Sequence, residues 1–115
     1  MEKGQEEANE ILESFKYPGI KWADNPSTRL NLYSDTVNTG DRKEIAKVVN
    51  TLMGKKIEAE LHGKKLYEQD RKLLNNTQNI LFKELAISLN TTFEEINEMV
   101  IRLIKEHKQE KIFTI

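Results

Sequence analysis

Two stretches of the chain resemble each other in sequence, with a one-residue gap in the turn that they share. Residues 32–45 correspond to residues 84–96. Beyond the gap, three apolar positions of each unit also correspond: Val48, Val49 and Leu52 in the first, and Met99, Val100 and Leu103 in the second. Each unit predicts a short helix, a polar turn, a longer helix and a strand. The chain then consists of two small helical units sharing one core, unless the repeat is a coincidence between two amphipathic helices.

Apolar residues at helical spacing predict five helical segments. The first is amphipathic and ends at Pro18-Gly19, after which residues 20–29 form a connector whose Trp22 is expected to be a core anchor rather than a ligand contact. The second is ambiguous between a strand and a short helix, and the repeat favours the helix. Gly54 is expected to end the third segment. The predicted helices cover residues 2–17, 30–37, 41–53, 70–89 and 93–107, and the fourth has a possible interruption at Asn75-Asn76.

Between the third and fourth helices the apolar residues alternate with a period of two, which is typical of a strand. His62-Gly63 follows as a tight-turn signal, and a return strand over residues 64–69 would pair opposite charges on one face of a hairpin. Residues 111–115 are apolar and β-prone as well. The predicted fold class is therefore α+β and helix-rich, with two winged helix-turn-helix-like units around a small antiparallel β-sheet. We expect a single compact domain, made of residues 1–29 (N-terminal helix and connector), 30–69 (first unit) and 70–115 (second unit).

Residues 82–100 resemble the helix-turn-helix core of winged-helix proteins. In that resemblance Ala86 takes the small-residue position, Leu89 lies in the turn, and Ile96 and Val100 are buried. Excisionase-like and MerR-like modules are of this kind, and two units around a sheet are similar in layout to the TraN-type accessory proteins of Gram-positive conjugative plasmids. The resemblance implies a DNA-binding protein, either a transcription regulator or a DNA-processing accessory factor of a mobile element or conjugation system. The second helix of a unit would enter the major groove and the wing would lie on the backbone.

The charges are distributed unevenly although the chain has a net charge of only −1. Residues 1–13 hold one lysine and five glutamates, whereas residues 14–72 hold twelve basic and eight acidic side chains. A basic middle of this kind indicates either a surface for phosphates or an ordinary solvated face. The acidic first helix either packs on the core or docks on a protein partner or a second copy of the chain.

Candidate DNA-binding residues lie in both units. The first unit offers a recognition helix over residues 41–53 with Thr39, Arg42, Lys43 and Lys47, and a wing with Lys55, Lys56, Lys64 and Lys65. The second unit offers Thr91, Asn97 and Arg102, but its helix begins with carboxylates that would repel phosphates. Double-stranded DNA is therefore the expected partner, read mainly by the first unit. The alternative is a small adaptor that binds a host or partner protein without contacting DNA.

Several function classes are not expected from this sequence. The absence of cysteine excludes disulfides and thiolate metal sites, and no cluster of histidine and carboxylate residues indicates a metal or a cofactor. His62 and His107 have no nucleophile beside them in sequence, so an enzyme is not expected. With neither a signal-peptide pattern nor a membrane-length apolar run, a cytoplasmic location without membrane contact is expected.

Overall fold

The computed structural model of the protein describes the backbone of residues 2–113 and the side chains of residues 4–108. Within these bounds the chain forms five α-helices and one short 3-10 helix, and it contains no strand. The first helix, α1 (Glu2–Glu13), runs directly into the 3-10 helix (Ser14–Lys16). The remaining helices are α2 (Pro26–Asn38), α3 (Arg42–Leu61), α4 (Glu68–Ser88) and α5 (Phe93–Phe113).

One hydrophobic core joins all five helices, and α3 lies at its centre. α3 contacts the four other α-helices, while α4 also packs against α1, α2 and α5. Rings from three elements meet in the core, where Phe82 lies edge-on to Phe15 at 6.3 Å and 5.7 Å from Phe93, measured between ring centroids. The spacing of apolar residues predicts a buried stripe on α3 made of Ile45, Val48, Val49 and Leu52. The last three are fully buried, whereas Ile45 is half-buried.

Polar side chains fix where the helices begin. Asn25 accepts a hydrogen bond from the backbone N–H of Thr28, and Pro26 occupies the first turn of α2. Asp41 accepts from the backbone N–H groups of Lys43 and Glu44 in the first turn of α3. Thr92 accepts from the backbone N–H of Glu95 at the start of α5.

The predicted α+β fold class is wrong, because the first strand of the predicted hairpin is the last part of α3 and the return strand is mostly an irregular link. α3 does not stop at Gly54 but continues to Leu61. The His62-Gly63 pair ends this helix rather than turning a hairpin. Gly63 adopts a left-handed φ of 66°, and the backbone N–H groups of Gly63 and Lys64 bond back to Glu60 and Ala59 at 3.1 and 2.8 Å. This is the Schellman closure of a helix C-terminus.

No sheet exists in the described part of the chain for two winged units to surround. Residues 64–67 form an irregular link into α4, so the predicted wing is a loop. Of the other predicted strand, residues 111–113 belong to α5, and Thr114 and Ile115 lie outside the described residues. The helical part of the repeat is real, however. α2 with α3 and α4 with α5 form two helical hairpins, and each turn holds one left-handed residue, Gly40 (φ 76°) or Asn90 (φ 53°).

The connector of the structure is the segment between the 3-10 helix and α2, residues 17–25, in place of the predicted 20–29. It lies flat against α3. Asn50 and Thr51 donate hydrogen bonds to the carbonyls of Tyr17 and Ile20 at 2.7 and 2.6 Å. Gly19 is required at the closest approach, because a Cβ there would meet the Lys47 carbonyl and would lie 2.6 Å from the Thr51 hydroxyl. The connector is thus held in one path, and this path places Trp22 beside the C-terminal half of α3.

Candidate nucleic-acid interface

A groove of about 260 Å³ opens between the connector, the C-terminal half of α3 and the link to α4. We call it the lysine groove. Its apolar wall includes Trp22, Leu66 and the largely exposed ring of Tyr67. Its polar lining consists of Lys55, Glu58, His62, Lys64, Lys65 and Asp70.

The carboxylates that line the lysine groove are already engaged with cations. Asp70 holds Arg29 in a buried pair, with 2.6 Å between the closest atoms. Lys108 donates to Glu58 across 3.3 Å, and this hydrogen bond, with the charge of the lysine, lowers the pKa of Glu58. Among the described residues, no carboxylate lies within ion-pair distance of Lys55, Lys64 or Lys65. The groove therefore presents positive charge to a partner.

The floor of the groove is organised by Arg29, which is buried at 1% exposure. Its guanidinium bonds to both oxygens of Asp70 at 3.1 and 2.6 Å, and also to the carbonyls of Ala23 and Asp24. The hydrogen bond to Asp70 raises the pKa of Arg29 against the opposing effect of burial. The carbon of the guanidinium lies 4.1 Å from the ring centroid of Trp22, within cation–π range. One side chain thus joins α2, α4 and the connector.

The cations predicted on the recognition helix lie at the other end of α3, where carboxylates match them. Arg42 pairs with Glu84 of α4 at 2.8 Å and with Glu7 of α1 at 3.8 Å. Lys43 pairs with Glu10 of α1 at 3.0 Å, and this hydrogen bond raises the pKa of Lys43. Two further predicted residues also have partners: Lys47 pairs with Glu44 at 3.2 Å, and Thr39 donates to the Thr36 carbonyl while accepting from the Asp41 N–H.

The other predicted DNA-binding residues lie apart from the lysine groove. Thr91 donates to Glu95 in the α4–α5 turn at 2.7 Å, and Asn97 accepts from Gln78 of α4 at 3.1 Å. Arg102 is exposed on α5 and Lys56 is exposed on α3, and neither lines the groove. Of the eleven residues predicted from the sequence, the structure therefore brings three together, namely Lys55, Lys64 and Lys65.

Sequence reasoning missed the aromatic part of this surface. Trp22 packs against the core as expected, but it is only half-buried and also lines the groove, with the Lys55 Nζ 4.8 Å from its ring centroid. Tyr67 was assigned to the predicted return strand over residues 64–69, and no contact with a ligand was predicted for it. Two lysines followed directly by two large apolar residues, Leu66 and Tyr67, are the signal that could have found it.

The structure also shows no membrane-spanning helix and no metal site among the described residues. No described helix combines the length and the apolar character needed to cross a membrane. Across the described side chains, no three His, Asp or Glu residues converge in a way that would hold a metal ion.

Comparison with known families gives one match over most of the chain. The family model for the C-terminal domain of CarD matches residues 10–101, which contain α2, α3, α4 and the lysine groove in full. The match is thus to a family other than the winged-helix and TraN-type proteins, whose layout the all-helical structure does not share. No curated protein matches the chain in sequence.

Proposed function

The chain belongs to the CarD C-terminal domain family, and from this premise we propose that it is a DNA-binding module of transcription whose contact surface is the lysine groove. CarD-like domains interact with RNA polymerase and DNA in transcription. For this chain, the observation that carries the proposal is the groove itself. Lys55, Lys64 and Lys65 converge on it, and its two carboxylates are neutralised by Arg29 and Lys108.

The proposed contact is mainly with the phosphate backbone. Ammonium groups on an exposed loop give affinity for any sequence, because each neutralises a phosphate and releases condensed counterions. Trp22 and Tyr67 add flat aromatic surface beside these charges, suited to bases or sugars at the edge of the backbone. This places the contact at the C-terminal end of α3 rather than in a major-groove recognition helix over residues 41–53. We propose a binding module and not an enzyme.

Paired replacements at the two ends of α3 test the proposal. Lys64→Ala with Lys65→Ala should weaken binding to duplex DNA of any sequence, by roughly tenfold near ~0.1 M salt. The slope of log K against log salt should become shallower by about one for each lysine removed. The matched control is Arg42→Ala with Lys43→Ala, which removes the same net charge from the end where glutamates already neutralise it. Fluorescence anisotropy over a salt series measures both quantities.

Two results would contradict the proposal. If the wild-type chain shows no salt-dependent binding to duplex DNA, the proposed DNA-binding function is wrong. Equal losses in the two double variants show that the lysine groove has no special role, and that only the overall charge matters.

A protein partner is the second candidate, and two exposed isoleucines on one side of α4 favour it. Ile80 is 64% exposed and Ile87 is 82% exposed, and their spacing of seven places both on one side of the helix. Since CarD-like domains also interact with RNA polymerase, we propose that enzyme as the occupant. Ile80→Asp with Ile87→Asp should then weaken binding to purified RNA polymerase at least tenfold, whereas exposed Asn79→Asp should not. Equal binding by both variants would remove this candidate.

A further inference from the structure

Two side chains of α2 hold the connector by hydrogen bonds on both sides of Trp22. Tyr33 donates to the carbonyl of Lys21 at 2.7 Å, on the side of the connector that enters Trp22. Arg29 donates to the carbonyls of Ala23 and Asp24 at 2.8 and 3.3 Å, on the side that leaves it. The backbone is therefore held on both sides of the indole by two side chains of α2.

We propose that Arg29 is a positioning residue, which fixes the indole of Trp22 on the wall of the lysine groove through its pair with Asp70. The inference rests on the proposed function only where binding to DNA is measured. The guanidinium is planar and has donors on several edges, so it can bond Asp70 with one edge and the connector carbonyls with another. The same planar group lies against the face of the indole.

A purely stabilising role would not need this arrangement. Two ions taken out of water cost desolvation energy, and an apolar pair of similar volume stabilises a core as well or better. What an apolar pair cannot supply is direction, because dispersion contacts leave a neighbouring ring and a carbonyl free to shift. Arg29 therefore fixes the geometry of the connector at a site where packing alone would not.

The chain provides its own probe, since Trp22 is its only tryptophan. Arg29→Lys keeps the charge but loses the fork that reaches both Asp70 and the connector. We expect this variant to increase acrylamide quenching of Trp22 fluorescence about twofold and to shift the emission to longer wavelength, at a temperature where the variant is folded by circular dichroism. Val100→Ala, which removes buried side-chain volume from α5, is the control for general destabilisation and should leave the quenching constant unchanged.

Measurements of duplex binding test whether Arg29 acts through Trp22. Arg29→Lys should weaken duplex binding about threefold in the wild-type background and have no effect when Trp22→Ala is already present. An equal loss in both backgrounds would show that Arg29 acts by another route and would overturn the inference.

The two arms separate failure of this inference from failure of the proposed function. If acrylamide quenching of Trp22 rises in Arg29→Lys but neither the wild type nor any variant binds DNA, Arg29 positions Trp22 and the proposed DNA-binding function is wrong. Quenching of Arg29→Lys that equals that of the wild type or of Val100→Ala overturns positioning whatever the DNA result. If Arg29→Lys does not fold, Asp70→Asn, which keeps one acceptor oxygen for Arg29, replaces it with the same expected outcomes.

Discussion

At the N-terminal end of α3, Arg42 and Lys43 face carboxylates of α1 and α4, whereas at its C-terminal end Lys55 faces Trp22 and the following link presents Lys64 and Lys65. The two ends look alike in a local count of cations. They differ in what the rest of the fold brings beside them, because the carboxylates of the lysine groove are already paired with other cations. Availability of charge, and not its amount, distinguishes a binding surface from a solvated one.

The N-terminal pairs contribute little to stability, since they are about half exposed and screened by water and salt. The effect that we expect of these pairs is on the recognition of phosphates. A phosphate approaching Arg42 must compete with Glu84 at 2.8 Å, whereas the lysines of the groove have no such competitor among the described residues. The comparison therefore predicts that equal changes at the two ends have unequal effects on DNA binding.

Two glycines give the most direct test of whether the two ends of α3 differ in function. Gly40 precedes the N-cap of α3 and Gly63 follows its C-cap, both have left-handed φ values, and a Cβ added to either meets no atom within 4 Å. Replacing either with alanine should cost about 1 kcal/mol of unfolding free energy, by backbone conformation alone. Only Gly63→Ala should also weaken duplex binding, by several-fold. It disturbs the Schellman closure at the C-terminus of α3, where the link that carries Lys64 begins. Urea denaturation and DNA titration measure the two effects.

Gly63→Asn is the control, because asparagine tolerates left-handed φ better than alanine and already occupies the equivalent position of α4 as Asn90. It should recover most of the stability and the affinity. Equal loss of DNA binding in Gly40→Ala and Gly63→Ala would mean that the two ends of α3 are not functionally distinct.

The same glycine shows how much of the fold the sequence predicts. Helical periodicity located the starts of four of the five helices to within two residues, because this signal is local. The start of α2 was missed by four residues, since the second segment was ambiguous and only the repeat favoured a helix there. The end of α3 was misplaced, because Gly54 was taken as a helix stop and His62-Gly63 as a hairpin turn. In the predicted strand, Ile57 and Leu61 would lie on the same apolar face. In the helix only Ile57 packs against the core, whereas Leu61 is 79% exposed. Five alternating residues are too few to decide between the two periods.

The candidate site was predictable only in its charges. Lys55, Lys64 and Lys65 were identified because a cluster of lysines is visible in any local window. The position of Trp22 was not, because it depends on a pair between Arg29 and Asp70, 41 residues apart in sequence. The neutralisation of Arg42 and Lys43 was equally hidden, since Glu7 and Glu10 precede them by more than thirty positions.

The smallest expected effect comes from removing those glutamates. Glu7→Gln with Glu10→Gln should free Lys43 and remove the weaker of the two partners of Arg42, which keeps its pair with Glu84. Duplex affinity should rise two- to threefold at low salt, a gain that disappears as salt screens the charges. The matched control is Glu6→Gln with Glu13→Gln, which changes the net charge equally on the same helix but releases no cation of α3. If the first double variant gains more than tenfold, the N-terminal end of α3 is a masked DNA site and the contrast between the two ends fails. A gain of equal size in the control would assign the effect to net charge alone.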